Sequence, residues 1–242
     1  MKIYKAIFRI DYPISFKIID SLGSYLDFLS QKLKSKPFSN FQSNIDFLNH
    51  SLEAKSKLEE DGICRFVLSP KAIDVLIEFK KGLDIEKLIK NPVSEVYDET
   101  IKRVNLEGFS TFDRIGVRLW IVDDSEENKF NELLNYLLKL NNPVNDIFKK
   151  NDFPPYDMGI VIDSKNEQGV NIHMQYGPYQ KTEELRYFSL KPEIKEGLIM
   201  DIDISQDKIS IPQFSFLNLI KRYQGYFSKI SSDIVDIHKK RA

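Results

Sequence analysis

Apolar and polar residues alternate with a period of two in several stretches of this chain, and hairpin-length turns join most of those stretches. A strand sends alternate side chains to opposite faces, so the pattern demands a sheet with one apolar face. Hairpin connections make that sheet largely antiparallel, because parallel neighbours need long crossovers. The alternation marks strands over Ile3–Tyr12, Ile63–Leu68, Ile73–Phe79, Phe112–Val122, Met158–Asp163, Ile172–Tyr176 and Leu198–Ser205, with a weaker one over Leu185–Leu190. In the first, Tyr4, Ala6, Phe8 and Ile10 share a face, opposite Lys5, Arg9 and Asp11. Ser69-Pro70-Lys71 and Asn166–Gly169 supply turns.

Helical spacing appears where the alternation stops. Behind a capping Ser15, Phe16, Ile19, Leu22, Leu26, Leu29 and Leu33 form one stripe. Val93–Val104 reads as a second helix. A third, capped by Asp124 or Ser125, carries Phe130, Leu133, Leu134, Leu137, Leu138 and Leu140 and ends at Asn141-Asn142-Pro143. A long helix closes the chain from about Pro212 to the region of His238. Phe41, Ile45, Leu48 and Leu52 also recur at helical spacing, but the stretch through Leu58 reads equally as a hairpin strand, so residues 40–62 stay open. The expected fold is α+β, a largely antiparallel sheet with helices packed on one face. It forms a single domain over 1–242, with 141–156 the place where a subdivision would fall.

Composition narrows the function. In 242 residues, 35 basic and 36 acidic side chains leave a net charge of −1, which does not indicate nucleic acid as a partner. No apolar run is long enough to span a bilayer, so no membrane association is expected. One cysteine, Cys64, excludes an internal disulfide framework and fits the cytoplasm. The spacings of a P-loop, a dinucleotide fingerprint, a nucleophile elbow and a zinc helix are all missing, and no cofactor is expected.

Two short motifs carry what chemistry there is. Arg114, Gly116, Arg118 and Trp120 fall on one strand face, an anion seat if the guanidiniums are free and a salt-bridge ladder if they are not. Asp201 and Asp203 project from one face of a later strand, at a spacing able to share a divalent cation, with Asp157 or Asp163 as a third carboxylate. Were the two strands neighbours, the arginines would lie across from the aspartates and neutralise them. His173 and Gln175 extend the polar surface, and His173 has the placement of a general base if a carboxylate orients it. His50 and His238 are assigned to helix surfaces, and three dispersed histidines make no zinc site. Cys64, beside Ile63, reads as a small buried apolar side chain. The basic end, His238-Lys239-Lys240-Arg241, reads as a solvated terminus.

The strand Phe112-Asp113-Arg114-Ile115-Gly116-Val117-Arg118, with Met200-Asp201-Ile202-Asp203 and the helix over Phe216–Ile237 after it, resembles a family of sporadically distributed prokaryotic proteins of about this length. That family combines an R-[IL]-G-[LV]-R strand with a late D-x-D strand and a closing helix. The chain departs from it at Leu119-Trp120, where the family carries an aromatic and then a polar residue. The resemblance implies a patchily inherited cytoplasmic protein of mobile or defence-associated context, and brings no activity, cofactor or catalytic residue with it.

The leading expectation is therefore a non-catalytic binding protein, with a protein partner or a second copy of itself. Its 11 Tyr and 17 Phe can supply aromatic contacts. A metal-assisted enzyme acting on a phosphate-bearing substrate through Asp201, Asp203, Arg114 and Arg118 is one alternative. A small-ligand cavity between the sheet and the long helix is another.

Overall fold

The structure is a computed structural model, and it describes residues 1–59, 61–105, 109, 111–124, 130–140, 142–152, 158–179, 188–194, 196–210 and 216–239. For 104, 105, 142, 144, 148, 216–220, 238 and 239 it describes the backbone alone.

Strands β1 (Lys2–Asp11), β2 (Phe38–Asp46), β3 (Ser51–Leu58), β4 (Gly62–Ser69), β5 (Ala72–Leu83), β6 (Thr111–Asp123), β7 (Ile160–Lys165), β8 (Val170–Tyr179) and β9 (Gly197–Ser210) form one antiparallel sheet. Their order is β2-β3-β4-β5-β1-β6-β9-β8-β7. Helices α1 (Phe16–Asp20), α2 (Leu22–Leu33), α3 (Ile85–Ile89), α4 (Val93–Asn105), α5 (Phe130–Leu140), α6 (Asn142–Lys150) and α7 (Phe216–Lys239) complete the α+β fold. The core lies between the sheet and the helices. Ala6, Phe8 and Ile10 of β1, Ile115, Val117, Leu119 and Ile121 of β6 and Met200, Ile202 and Ile204 of β9 meet Leu29 and Leu33 of α2, Tyr97 of α4, Leu133 of α5 and Tyr223 and Phe227 of α7.

The strand order divides the chain into two halves of like topology. In each, a first strand is followed by helices, and a meander then brings its last strand back beside the first. The halves are β1-α1-α2-β2-β3-β4-β5 and β6-α5-α6-β7-β8-β9. Their equivalent strands, β1 and β6, pair antiparallel and are the only seam between the halves within the described sheet. No repeat is visible in the sequence, since apolar periodicity alone is enough to specify each half.

Four local expectations need correction. The register slips between Ile3 and Lys5, and this bulge turns Tyr4 to the face of Lys5, away from Ala6 and Phe8. Residues 38–58 form the β2–β3 hairpin, which leaves His50 in its turn with φ 50° rather than on a helix. The first helical stripe breaks at Ser21, so Ile18 is buried in place of Phe16, which is 74% exposed, and the Ser15 side chain makes no capping bond. Residues 188–190 are not a strand, while 185–187, like Ser125, Asp157, Pro212 and the basic end beyond Lys239, lie outside the described residues. Helix α6 follows the Asn141–Pro143 break, where the sequence showed only an ending.

Several tyrosines are locked into the core. Tyr12 donates to the Ser69 carbonyl at 2.6 Å, and burial raises its pKa, as it does for Tyr97. Burial pushes Tyr4 and Tyr223 up to about 12 from 10.0, the carboxylates of Asp124 and Glu193 adding to the effect at Tyr4. A group whose pKa is raised on folding lends stability below its unfolded pKa and loses it as pH climbs towards the folded value. Thermal denaturation followed from pH 9 upward should therefore show Tm falling steadily between about pH 10 and 12, as about 1.4 kcal/mol of stability is lost per unit of displacement. Tyrosinate absorbance should lag behind that of free tyrosine. A flat Tm across this interval would contradict the burial assigned to these hydroxyls.

Candidate functional site: the open face of the sheet

Because the helices occupy one side, the other side of the sheet is left with its polar residues in register. One rung runs Arg65, Leu76, Ile7, Arg118, Asp203, His173, Asp163 across β4, β5, β1, β6, β9, β8 and β7. The next runs Val67, Asp74, Arg9, Gly116, Ser205, Asn171, Lys165. The strands β6 and β9 are thus neighbours, and all six sequence candidates, Arg114, Arg118, His173, Gln175, Asp201 and Asp203, stand on this one face.

Between β6 and β9 the charges pair diagonally rather than straight across. Arg118 is registered opposite Asp203 but binds Asp201 in a two-pronged contact, Nε to Oδ1 at 2.8 Å and Nη2 to Oδ2 at 2.6 Å. Its guanidinium also lies 4.5 Å from the centre of the Trp120 ring. Arg114 reaches Asp203 at 3.3 Å and Asp11 at 4.0 Å. Arg9 continues the series to Asp11 at 2.8 Å and Asp74 at 3.4 Å. Burial raises the Asp74 carboxyl above its ordinary value, against the pull of Arg9. His173 Nδ1 lies 2.7 Å from Asp163 Oδ1, the orienting carboxylate a general base would need, although both side chains are exposed. Gln175, also exposed, is registered beside Asp201.

Gly116 has a specific use. A Cβ there would stand 3.3 Å from Arg114 Nη1, so the space that sequence reasoning reserved for a ligand is taken by the folded-back Arg114 guanidinium. The face is concave beside it. A groove of about 540 Å³ is floored by Ile7, Val67, Leu76 and Gly116 and walled by Arg9, Arg65, Arg114, Arg118, Asp11, Asp74 and Asp203. A second hollow of about 390 Å³, towards β7, shares Arg114 and Asp203 with it and adds His173, Asp163 and Lys165. Sequence reasoning missed Arg9, Asp11, Arg65 and Asp74. The alternation of β1 did place Arg9 and Asp11 on its polar face, but nothing short of strand order brings them beside β6.

One end of this face is sealed. Residues 188–194 cross it, with Ile194 packed among Tyr4, Val122 and Tyr179. Below them the Lys5 ammonium meets Glu78 at 2.9 Å, both side chains almost wholly buried, and lies 5.3 Å and 5.2 Å from the Trp120 and Phe188 ring centres. Glu78 Oε2 accepts the backbone N–H groups of Ser189 and Leu190 at 2.7 and 2.8 Å.

Other candidates are placed away from this face or are buried. Cys64 is buried in β4, and burial pushes its thiol up to about 12, the reverse of an activated thiolate. No group of three or more His, Cys, Asp or Glu able to hold a metal occurs among the described residues. The interface of the sheet with α7 is filled by Tyr223, Phe227, Ile234 and Val235, and the hollow beside it, about 550 Å³, is an open one at the edge of the core lined in part by Ile3, Ile85, Ile121 and Phe227. No described helix is long and apolar enough to cross a membrane.

No family model matches the chain, and no curated protein does. Among solved structures, one described as "Structure of crystal form I of TP0453" aligns over 86% of this chain and 89% of its own, at 7% identity and a TM-score of 0.12. A score that low marks no common fold, so the functional reading rests on the open face itself.

Proposed function

We propose that this is a non-catalytic cytoplasmic binding protein that recognises a protein partner through the open, charged face of its sheet. One observation carries the reading. The Arg, Asp, His and Gln side chains singled out in the sequence lie on a single sheet face that no described helix covers, and Asp201 and Asp203 are already held by guanidiniums. Paired in this way, Asp201 and Asp203 are poor ligands for a divalent cation, which disfavours the metal-assisted alternative. Charges of alternating sign over a broad concave surface suit a macromolecular partner, where such patterns set specificity and register. The resemblance to the sporadically distributed prokaryotic proteins belongs to the same reading: its two motifs, some 80 residues apart in sequence, fall on adjoining strands.

The double exchange Arg118→Asp with Asp201→Arg tests this, because it keeps an internal ion pair while inverting the pattern a partner meets. Affinity capture from the source cells, quantified by mass spectrometry, should yield a specific protein with the unmodified chain and at least about tenfold less of it with the exchanged one. The circular dichroism and Tm should stay close to those of the parent. Capture that ignores the exchange would move recognition off this face. Calorimetry that detects Mg²⁺ or Mn²⁺ binding abolished by Asp203→Ala would instead revive the enzyme.

A further inference from the structure

The two edges of the sheet are built differently. At β2 the ladder is interrupted between Ser39 and Gln42, where Asn40 takes φ 52°, and the strand is rich in Ser, Asn and Gln. A bulge and polar composition are the usual means of keeping an edge from pairing with another chain. The other edge, β7, is paired to β8 over all six of its residues without a register shift, and among the described residues nothing pairs with its outer side. Its sequence, Ile-Val-Ile-Asp-Ser-Lys, begins with three β-branched residues. Such a row of free N–H and C=O groups is a template for a further strand.

Apolar exposure concentrates at the same end. Val161 is 57% exposed on the polar face, and Ile162 is 42% exposed on the helix face, where α5 packs mainly on β8 and β9. Leu140 at the end of α5 and Ile147 on α6, which packs against α5, are 56% and 61% exposed. Two other apolar pairs are well exposed: Ile14 and Phe16 lie where β1 leads into α1, a strand paired on both sides, and Phe47 and Leu48 sit on the β2–β3 turn at the end of the interrupted, polar edge β2.

We infer that β7 pairs antiparallel with β7 of a second copy, joining two sheets into one across a two-fold axis normal to the sheet. Such an axis keeps the faces aligned, so odd residues meet odd and even meet even. Among the registers this allows, the one centred on Asp163 sets Asp163 against Asp163, a like-charge contact that destabilises a strand pair. The one centred on Ile162 pairs more of β7 but sets Asp163 against Val161 and leaves Lys165 beyond the pair. The one centred on Ser164 sets each Asp163 against Lys165 of the other copy, forming two symmetric ion pairs and laying 160–162 alongside residues 166–168 of the other copy's β7–β8 turn. Lys165 makes no ion pair with any described residue, while Asp163 already holds His173. The chain uses the same device internally, where Asp11 of β1 is registered opposite Arg114 of β6 across the seam between its halves. A two-fold axis of this kind also keeps the helices of both copies on one side of the joined sheet, the side of Ile162.

Analytical ultracentrifugation of the full chain at micromolar concentrations tests the assignment. The parent should sediment as a dimer. Lys165→Asp and Asp163→Lys, each placing like charges opposite one another twice, should weaken the dimer at least about tenfold, and the two substitutions combined should restore it. Ile162→Lys, a charge on the edge itself, should give monomer with an unchanged circular dichroism spectrum. A monomeric parent would overturn the inference, as would a dimer indifferent to Ile162→Lys. A dimer that is lost with Ile162→Lys but indifferent to the charge reversals, or not restored by the pair of exchanges, would overturn the Ser164-centred register.

Discussion

Replacing Glu78 with alanine is expected to cost about 3–5 kcal/mol of unfolding free energy, the range seen when one member of a buried ion pair is removed. The reason lies in what Glu78 leaves behind. Lys5 would remain between the Trp120 and Phe188 rings without its carboxylate, and the N–H groups of Ser189 and Leu190 would lose their shared acceptor. Urea denaturation monitored by Trp120 fluorescence measures the cost, and the same tryptophan reports whether the 188–194 segment has lifted. Lys5→Met should also be costly, since it leaves the buried Glu78 carboxylate without its counter-ion, but milder, because Glu78 retains its two backbone donors and Met keeps a stem of similar length. Equal losses from the two substitutions would show that the segment is held by its apolar contacts alone.

Gly197→Ala comes next in size, at the upper end of the roughly 1–3 kcal/mol typical of overpacking. A Cβ at Gly197 would sit 2.5 Å from the Asp123 carbonyl oxygen and 3.2 Å from Asp124 Cα. Both are backbone atoms at the end of β6, so no side chain can turn aside to relieve the contact. The first residues of β9 would have to move away from β6, and with them the approach to Asp201. Gly225→Ala is the natural control, because a Cβ there meets nothing within 4 Å. Chemical denaturation of the two variants should separate them clearly, and a Gly197→Ala protein as stable as the parent would rule out this close approach.

The fold was legible where periodicity is decisive. Ile115, Val117, Leu119 and Ile121 are all buried, as strict alternation requires, and the hairpin at Pro70-Lys71 lies where its turn residues put it. It was illegible where one residue changes the phase. The bulge at Tyr4 inserts a single position into an otherwise regular strand, and composition there gives no sign of it. The region 40–62 was ambiguous because Phe41, Ile45 and Leu52 fit a helix as well as an irregular edge strand, and only pairing with β4 decides the matter.

The candidate site divides in the same way. The faces of Arg114, Arg118, Asp201 and Asp203 follow from alternation, and the neutralising contact between the two strands follows once they adjoin. The diagonal choice of partner does not, since it depends on the reach and tilt of each guanidinium. Nor does the contribution of Arg9, Arg65 and Asp74, whose strands are brought to β6 by a central β1 that no local signal announces.

That central seam makes the groove a composite. Arg9, Asp11, Arg65 and Asp74 come from the half that ends with β5, while Arg114, Arg118 and Asp203 come from the half that begins with β6. Neither half owns a complete recognition surface. A molecule that spans the groove would touch both halves, and its binding energy would then add to the pairing of β1 with β6 and raise the apparent stability of the assembled chain by mass action. On the reading proposed above, recognition would double as a proofreading of assembly, because a molecule whose halves have not joined lacks the composite groove.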